Sequence, residues 1–186
     1  MKIGIVVFNE FTDLDFYLPW DLLNRVRLLN LSNNWKVEIL GDDAQYTSAA
    51  GLTLMATKPY SFATECDAVY FCSGSKTKEL IKNKKFLDNF KLVDKQIIAA
   101  IDSGALILAA IGLLNGKKAT TYPTTFELLK GFGVNVQELP FVIDGNIATG
   151  ARCLSGDKLA LWIIQKLAGA DISEKVFDSV KPLNQR

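Results

Sequence analysis

The 186-residue chain contains no histidine. That absence removes the Ser-His-Asp triad, the Cys-His pair, the imidazole proton shuttle and every His-ligated metal site. Any chemistry has to run on carboxylates, thiols, hydroxyls or backbone dipoles. Charge of one sign is missing too: 21 Lys and Arg against 20 Asp and Glu leave +1, no field to steer nucleic acid, anionic lipid or a polyanion. No stretch approaches the roughly 20 apolar residues of a membrane span, so no membrane partner is expected. The opening run Ile3-Gly4-Ile5-Val6-Val7-Phe8 is too short for a secretory signal, lacks a cleavage-type tail and passes straight into Asn9-Glu10. The three cysteines, Cys66, Cys72 and Cys153, are odd in number and lack metal-type pairing, which reads as a cytoplasmic protein with reduced thiols. Walker A, dinucleotide-fingerprint and HExxH patterns do not occur, so neither cofactor nor metal is expected.

What remains is the balance of a globular chain, 49% hydrophobic and 22% charged, of a length suited to one α/β domain over residues 1–186. Short, continuously apolar runs at Lys2–Asn9, Trp35–Leu40, Asp67–Cys72 and Gln96–Ile101 have the pattern of strands buried on both faces of a parallel sheet. Helical stretches lie between them. Leu14 to about Leu29 is expected to break or kink at Pro19. Ala105–Leu114 is closed by Asn115-Gly116, Thr124–Lys130 begins on a Thr cap, Ser155–Leu167 on Ser155, and Ser173–Ser179 is shorter. Leu52–Ala56 reads as a hairpin arm, Lys118–Thr121 as a short strand, and Asp144-Gly145-Asn146 as a turn between two strands. The lysines of Lys76–Lys95, set against Glu79, Asp88 and Asp94, read as a solvated helix surface rather than a nucleic-acid face. Trp20, Trp35 and Trp162 read as packing. The alternation implies a three-layer α/β/α sandwich around a mostly parallel sheet.

Ligands of open α/β sheets sit outside the carboxyl ends of the strands, and three such ends stand out. At Ala100-Ile101-Asp102-Ser103-Gly104 a strand passes into a helix through small residues, the setting of a nucleophile elbow that raises one side chain above the sheet. That side chain is Asp102, and the alternative reading is a carboxylate that caps its helix. The turn Cys72-Ser73-Gly74-Ser75 carries backbone N–H groups that, with the N–H of Ser103, would make an oxyanion hole. Asp15, between apolar neighbours at the start of the first helix, either points into a site or is solvated. Cys72 and Cys153 lie near this region, Cys153 in a loop that would line it; without a histidine to activate either, each reads as a small hydrophobe before a nucleophile.

Taken together these segments resemble the ThiJ/PfpI superfamily and its flavodoxin-like fold, nearest to the isonitrile (isocyanide) hydratases and the related domains of AraC-type regulators. The resemblance spans nearly the whole chain. It rests on Ile3-Gly4-Ile5-Val6-Val7-Phe8, on Leu14-Asp15-Phe16-Tyr17-Leu18-Pro19 (Leu18 standing where Gly is usual), on the run from Ala105 to Thr121, and on Asp144–Gly150. It implies a reactive cysteine at the elbow beside a protonated acid from the first helix. Asp102 occupies the first position and Asp15 the second. Ser73-Gly74-Ser75 stands at a Gly-Gly oxyanion turn, and Tyr122 where many members carry histidine. The implied substrate or ligand is a small electrophilic molecule, bound near Gly74, Ser75, Ser103 and Tyr122, and the implied assembly is a homodimer.

An aspartate at the elbow has three readings: an engineered change that mimics a cysteine sulfinate, a natural loss that leaves a binding or regulatory pseudoenzyme, or a replacement in which a carboxylate does the work. In the last, Asp15 and Asp102 facing each other would share one proton near neutrality. The helix N-terminus under Asp102 favours its charged form and leaves the proton on Asp15. Hydration or hydrolysis by a lyase- or hydrolase-type acid–base pair is then expected, weak on substrates that need a thiolate. The regulatory reading is weakened by the absence, after Arg186, of the DNA-binding extension of AraC-type relatives.

Overall fold

The computed structural model describes residues 1–93 and 95–183. Asp94, counted above with the lysine-rich face, lies outside them. In chain order the strands are β1 (Lys2–Val6), β2 (Lys36–Leu40), β3 (Gln45–Thr47), β4 (Thr53–Met55), β5 (Ala68–Phe71), β6 (Ile97–Ile101), β7 (Lys118–Ala119), β8 (Asn135–Val136), β9 (Phe141–Asp144) and β10 (Ile147–Gly150). The helices are α1 (Asp13–Leu28), α2 (Thr77–Leu80), α3 (Lys84–Leu87), α4 (Gly104–Ala110), α5 (Phe126–Lys130), α6 (Gly156–Ala168) and α7 (Ala170–Asp178).

Six strands form the central sheet in the order β2-β1-β5-β6-β10-β9, all pairs parallel except β10 with β9. The expected buried runs are the middle of it. Ile3, Ile5, Val69, Tyr70, Phe71, Ala99, Ala100 and Ile101 have no exposed surface, as strands covered on both faces require. Helices α1, α6 and α7 pack against one another, and α4 packs with α2 and α5. The fold is thus the α/β arrangement of a mostly parallel sheet flanked by helices. Among the described residues no helix is long and apolar enough to cross a membrane.

Several local expectations are corrected. Pro19 does not break α1, which runs through it without interruption. Proline has no N–H to give the carbonyl four residues back, here that of Asp15. The Cys72 thiol donates to that carbonyl instead, at 3.6 Å, so the helix loses a backbone bond and keeps a partner for the oxygen. The lysine-rich segment is two one-turn helices, α2 and α3, rather than one helix. Neither Thr124 nor Ser155 acts as a capping side chain: Pro123–Thr125 and Cys153–Ser155 are 3-10 turns leading into α5 and α6. Trp35 is buried, its indole N–H donating to the Leu23 carbonyl at 2.8 Å, and Trp162 is buried. Trp20 is only half-buried, stacked on Phe16.

Candidate active site

Parallel strands end at one edge, so β1, β5, β6 and β10, consecutive across the sheet, deliver their following residues to one place. From β1 the chain turns through Phe11 and Thr12 into α1 and buries Asp15 completely. From β5 it enters Cys72–Ser75, from β6 Asp102, and from β10 Ala151–Cys153.

Asp102 is the hinge of the elbow. Its φ is +52°, in the left-handed region that aspartate tolerates better than most residues. The backbone is fixed on both sides: the N–H donates to the Gly150 carbonyl at 2.7 Å, and the Thr121 hydroxyl donates to the Asp102 carbonyl at 2.9 Å. Immediately beyond, α4 lies so close to β5 that a Cβ on Gly104 would stand 2.7 Å from the Cys72 carbonyl oxygen and 2.8 Å from that of Phe71. Glycine is the residue this approach requires.

One carboxylate oxygen of Asp15, one of Asp102 and the Cys153 sulfur lie within 4.8 Å of one another. Ser73 donates its hydroxyl to Asp15 Oδ2, while Asp15 Oδ1 is buried without a partner at regular hydrogen-bond geometry. Burial raises the Asp15 carboxyl above its usual range, opposed by the Cys153 thiol and the Ser73 hydroxyl. Burial likewise raises Asp102 to about 6, with the Asp15 charge adding to it and the Ser103 N–H and Arg152 opposing. Each carboxyl group keeps its own donors, the Ser73 hydroxyl and Cys153 thiol on Asp15 and the Ser103 N–H on Asp102, while burial raises both. Cys153 is pushed up to about 12, first by burial and then by Asp15. Cys72, fully buried, is raised well above the ordinary thiol range for the same reasons. Neither thiol is primed as a thiolate.

A cavity of about 260 Å³ opens beside Asp102, lined among others by Gly74, Ser75, Ser103 and Tyr122, so these four sequence-predicted residues do come together. Two of the expected backbone donors are already engaged. The Ser103 N–H is taken by Asp102 Oδ1, and the Ser75 N–H by the Glu10 carbonyl at 3.2 Å. Gly74 sits against the Glu10–Phe11 segment, where a Cβ would collide with the Glu10 carbonyl. Two residues enter from the loop after β10, Cys153, expected in a loop lining the site, and Arg152, which the sequence did not single out. Cys153 faces both aspartates, and the Arg152 guanidinium lies 5.5 Å from the centre of the Tyr122 ring. The only signal for Cys153 in the sequence was its place in the loop after a strand bound for this edge.

A family model described as DJ-1/PfpI family matches residues 1–166. The chain is 29% identical to an isonitrile hydratase of Pseudomonas putida over 178 residues, 95% of this chain and 76% of that protein. It is 28% identical to the HTH-type transcriptional regulator GlxA of Rhizobium meliloti, over 95% of this chain and 56% of that protein. Among solved structures, a ThiJ/PfpI family protein from Pseudomonas syringae superposes with a TM-score of 0.83 at 25% identity, covering 98% of this chain and 77% of the other.

Proposed function

The chain belongs to the DJ-1/PfpI family, and from that footing we propose that it adds water to a small electrophile, an isonitrile being the type substrate, with Asp102 and Asp15 as the proton-transferring pair. The observation that carries the reading is the carboxylate at the left-handed elbow, facing a second, fully buried carboxyl group. A pair that holds one proton has both functions a hydration needs. The protonated partner gives its proton to the terminal carbon of the isonitrile. The ionised partner takes a proton from water as its oxygen bonds to that carbon. The imidic acid so formed tautomerises to an N-substituted formamide, and the proton returns from one carboxyl to the other. Gly74, Ser75, Ser103 and Tyr122 would line the substrate's seat. The chain is read as a cytoplasmic homodimer acting as one unit over residues 1–186.

A second reading, a non-catalytic ligand-binding or regulatory domain, is favoured by the engagement of the Ser75 and Ser103 N–H groups within the protein. Turnover separates the two. The native chain and D102C are assayed on small isocyanides and on methylglyoxal. The native chain is expected to form the formamide slowly, D102C faster, and D15N and D102N about 100-fold more slowly than native. If neither native nor D102C turns over any of these compounds above buffer, the enzyme reading fails and the binding reading stands.

A further inference from the structure

We propose that Asp15, Asp102 and Cys153 form a binding site for a thiophilic divalent cation of the Zn²⁺ type, with one coordination position left open toward the cavity beside Asp102. Three observations carry it. The three donor atoms already lie within 4.8 Å of one another, contributed by α1, the β6–α4 elbow and the turn after β10. A tetrahedral zinc with one sulfur and two carboxylate oxygens needs ligand separations of roughly 3.3–3.6 Å. The widest pair therefore closes by about an ångström, within reach of a rotation of the partly exposed Asp102 and Cys153 side chains.

The second observation is two orphaned buried atoms. Asp15 has no exposed surface, yet its Oδ1 has no partner at regular hydrogen-bond geometry, and the same is true of the Tyr70 hydroxyl. That hydroxyl lies close enough to feel the charges of Asp15, Cys153 and Asp102. A carboxylate oxygen left unpaired inside a protein is costly, and a cation relieves that cost directly. The third is charge. The Arg152 guanidinium is the cation that acts on Asp102, and it does so weakly. Two carboxylates, a thiolate, Arg152 and a divalent ion sum to zero, so the ion can take the place of the protons that the thiol and the carboxyl pair otherwise hold.

The donor set selects the ion. Two oxygens with a sulfur suit zinc and cobalt, whereas Mg²⁺ and Ca²⁺ take oxygen ligands. The site needs no histidine. Its ligands include the carboxyl pair of the hydration reading, whose shared proton a bound ion would displace, so binding is measured directly and turnover is assayed on the metal-free chain.

The test uses the full chain without a histidine tag, stripped of metal; a His-free protein gives little background. Co²⁺ is titrated by absorption and Zn²⁺ by calorimetry. One equivalent of each is expected to bind, Co²⁺ with a thiolate-to-metal charge-transfer band and Zn²⁺ with release of a proton. C153S is expected to abolish the band, C153S and D102N each to weaken Zn²⁺ at least tenfold, and C66A, at the opposite edge of the sheet, to change neither. No saturable binding by the native chain overturns the proposal. So does a band that survives C153S, or Zn²⁺ affinity unchanged by D102N.

Discussion

At the scale of single residues, Asp102 combines two costs: a left-handed backbone and a carboxylate that its surroundings hold near a pKa of about 6. The second has a measurable sign. In the unfolded chain an aspartate titrates near ~3.9, so the folded state binds the proton more tightly. The stabilisation from that proton is complete below about pH 4 and is lost as pH rises through about 6. An asparagine in its place carries no charge to disfavour. D102N is therefore expected to match the native chain at pH 4 and to melt about 2–6 °C higher at pH 7.5, by scanning calorimetry with a chelator present. A variant that melts lower than native at pH 7.5 would show that the charged form is the one the fold prefers.

At the scale of elements, the unbroken passage of α1 through Pro19 depends on a residue from another element. The carbonyl of Asp15, denied its helical donor, is met by the Cys72 thiol at the end of β5. Substituting Pro19 by alanine restores the N–H, so the thiol then competes with a regular backbone bond. A cycle of native, P19A, C72A and the double variant, unfolded in urea, is expected to show a coupling of about 0.5–1 kcal/mol, with C72A costing more when proline is present. Coupling below about 0.3 kcal/mol would mean that the contact carries no energy. Here the limits of sequence reading have a plain cause. The strands β1, β5 and β6 were legible because a buried parallel strand writes itself as a continuous apolar run. The kink at Pro19 was expected because the helix was judged alone, and the thiol that meets the freed Asp15 carbonyl lies 57 residues beyond Asp15.

At the scale of the whole molecule, the resemblance implies a homodimer, and sedimentation at micromolar concentration is expected to give twice the mass of the chain. A monomer at those concentrations would remove that part of the reading. The same scale explains what was hidden in the site. Asp102 and Asp15 could be singled out because each follows a local signal, an elbow or a carboxylate among apolar neighbours. Cys153 could be placed only in a loop lining the site: its approach to the two carboxylates is made by β10 pairing with β6, which no spacing in the chain announces. Nor does any local pattern say that the Ser103 N–H turns back to Asp102.

The position of β10 has a consequence for the life of the chain. The sheet edge that gathers Asp15, Ser73, Asp102 and Cys153 is assembled from segments spread over most of the sequence, and the last of them is delivered by a strand ending at Gly150. A ribosome-bound chain that has not yet exposed β10 holds the carboxylates but not the thiol, and a chain that locally loses β10 gives the thiol back to solvent. The constellation is therefore complete only once β10 has paired with β6, the same step that gives the Asp102 N–H its acceptor, the Gly150 carbonyl.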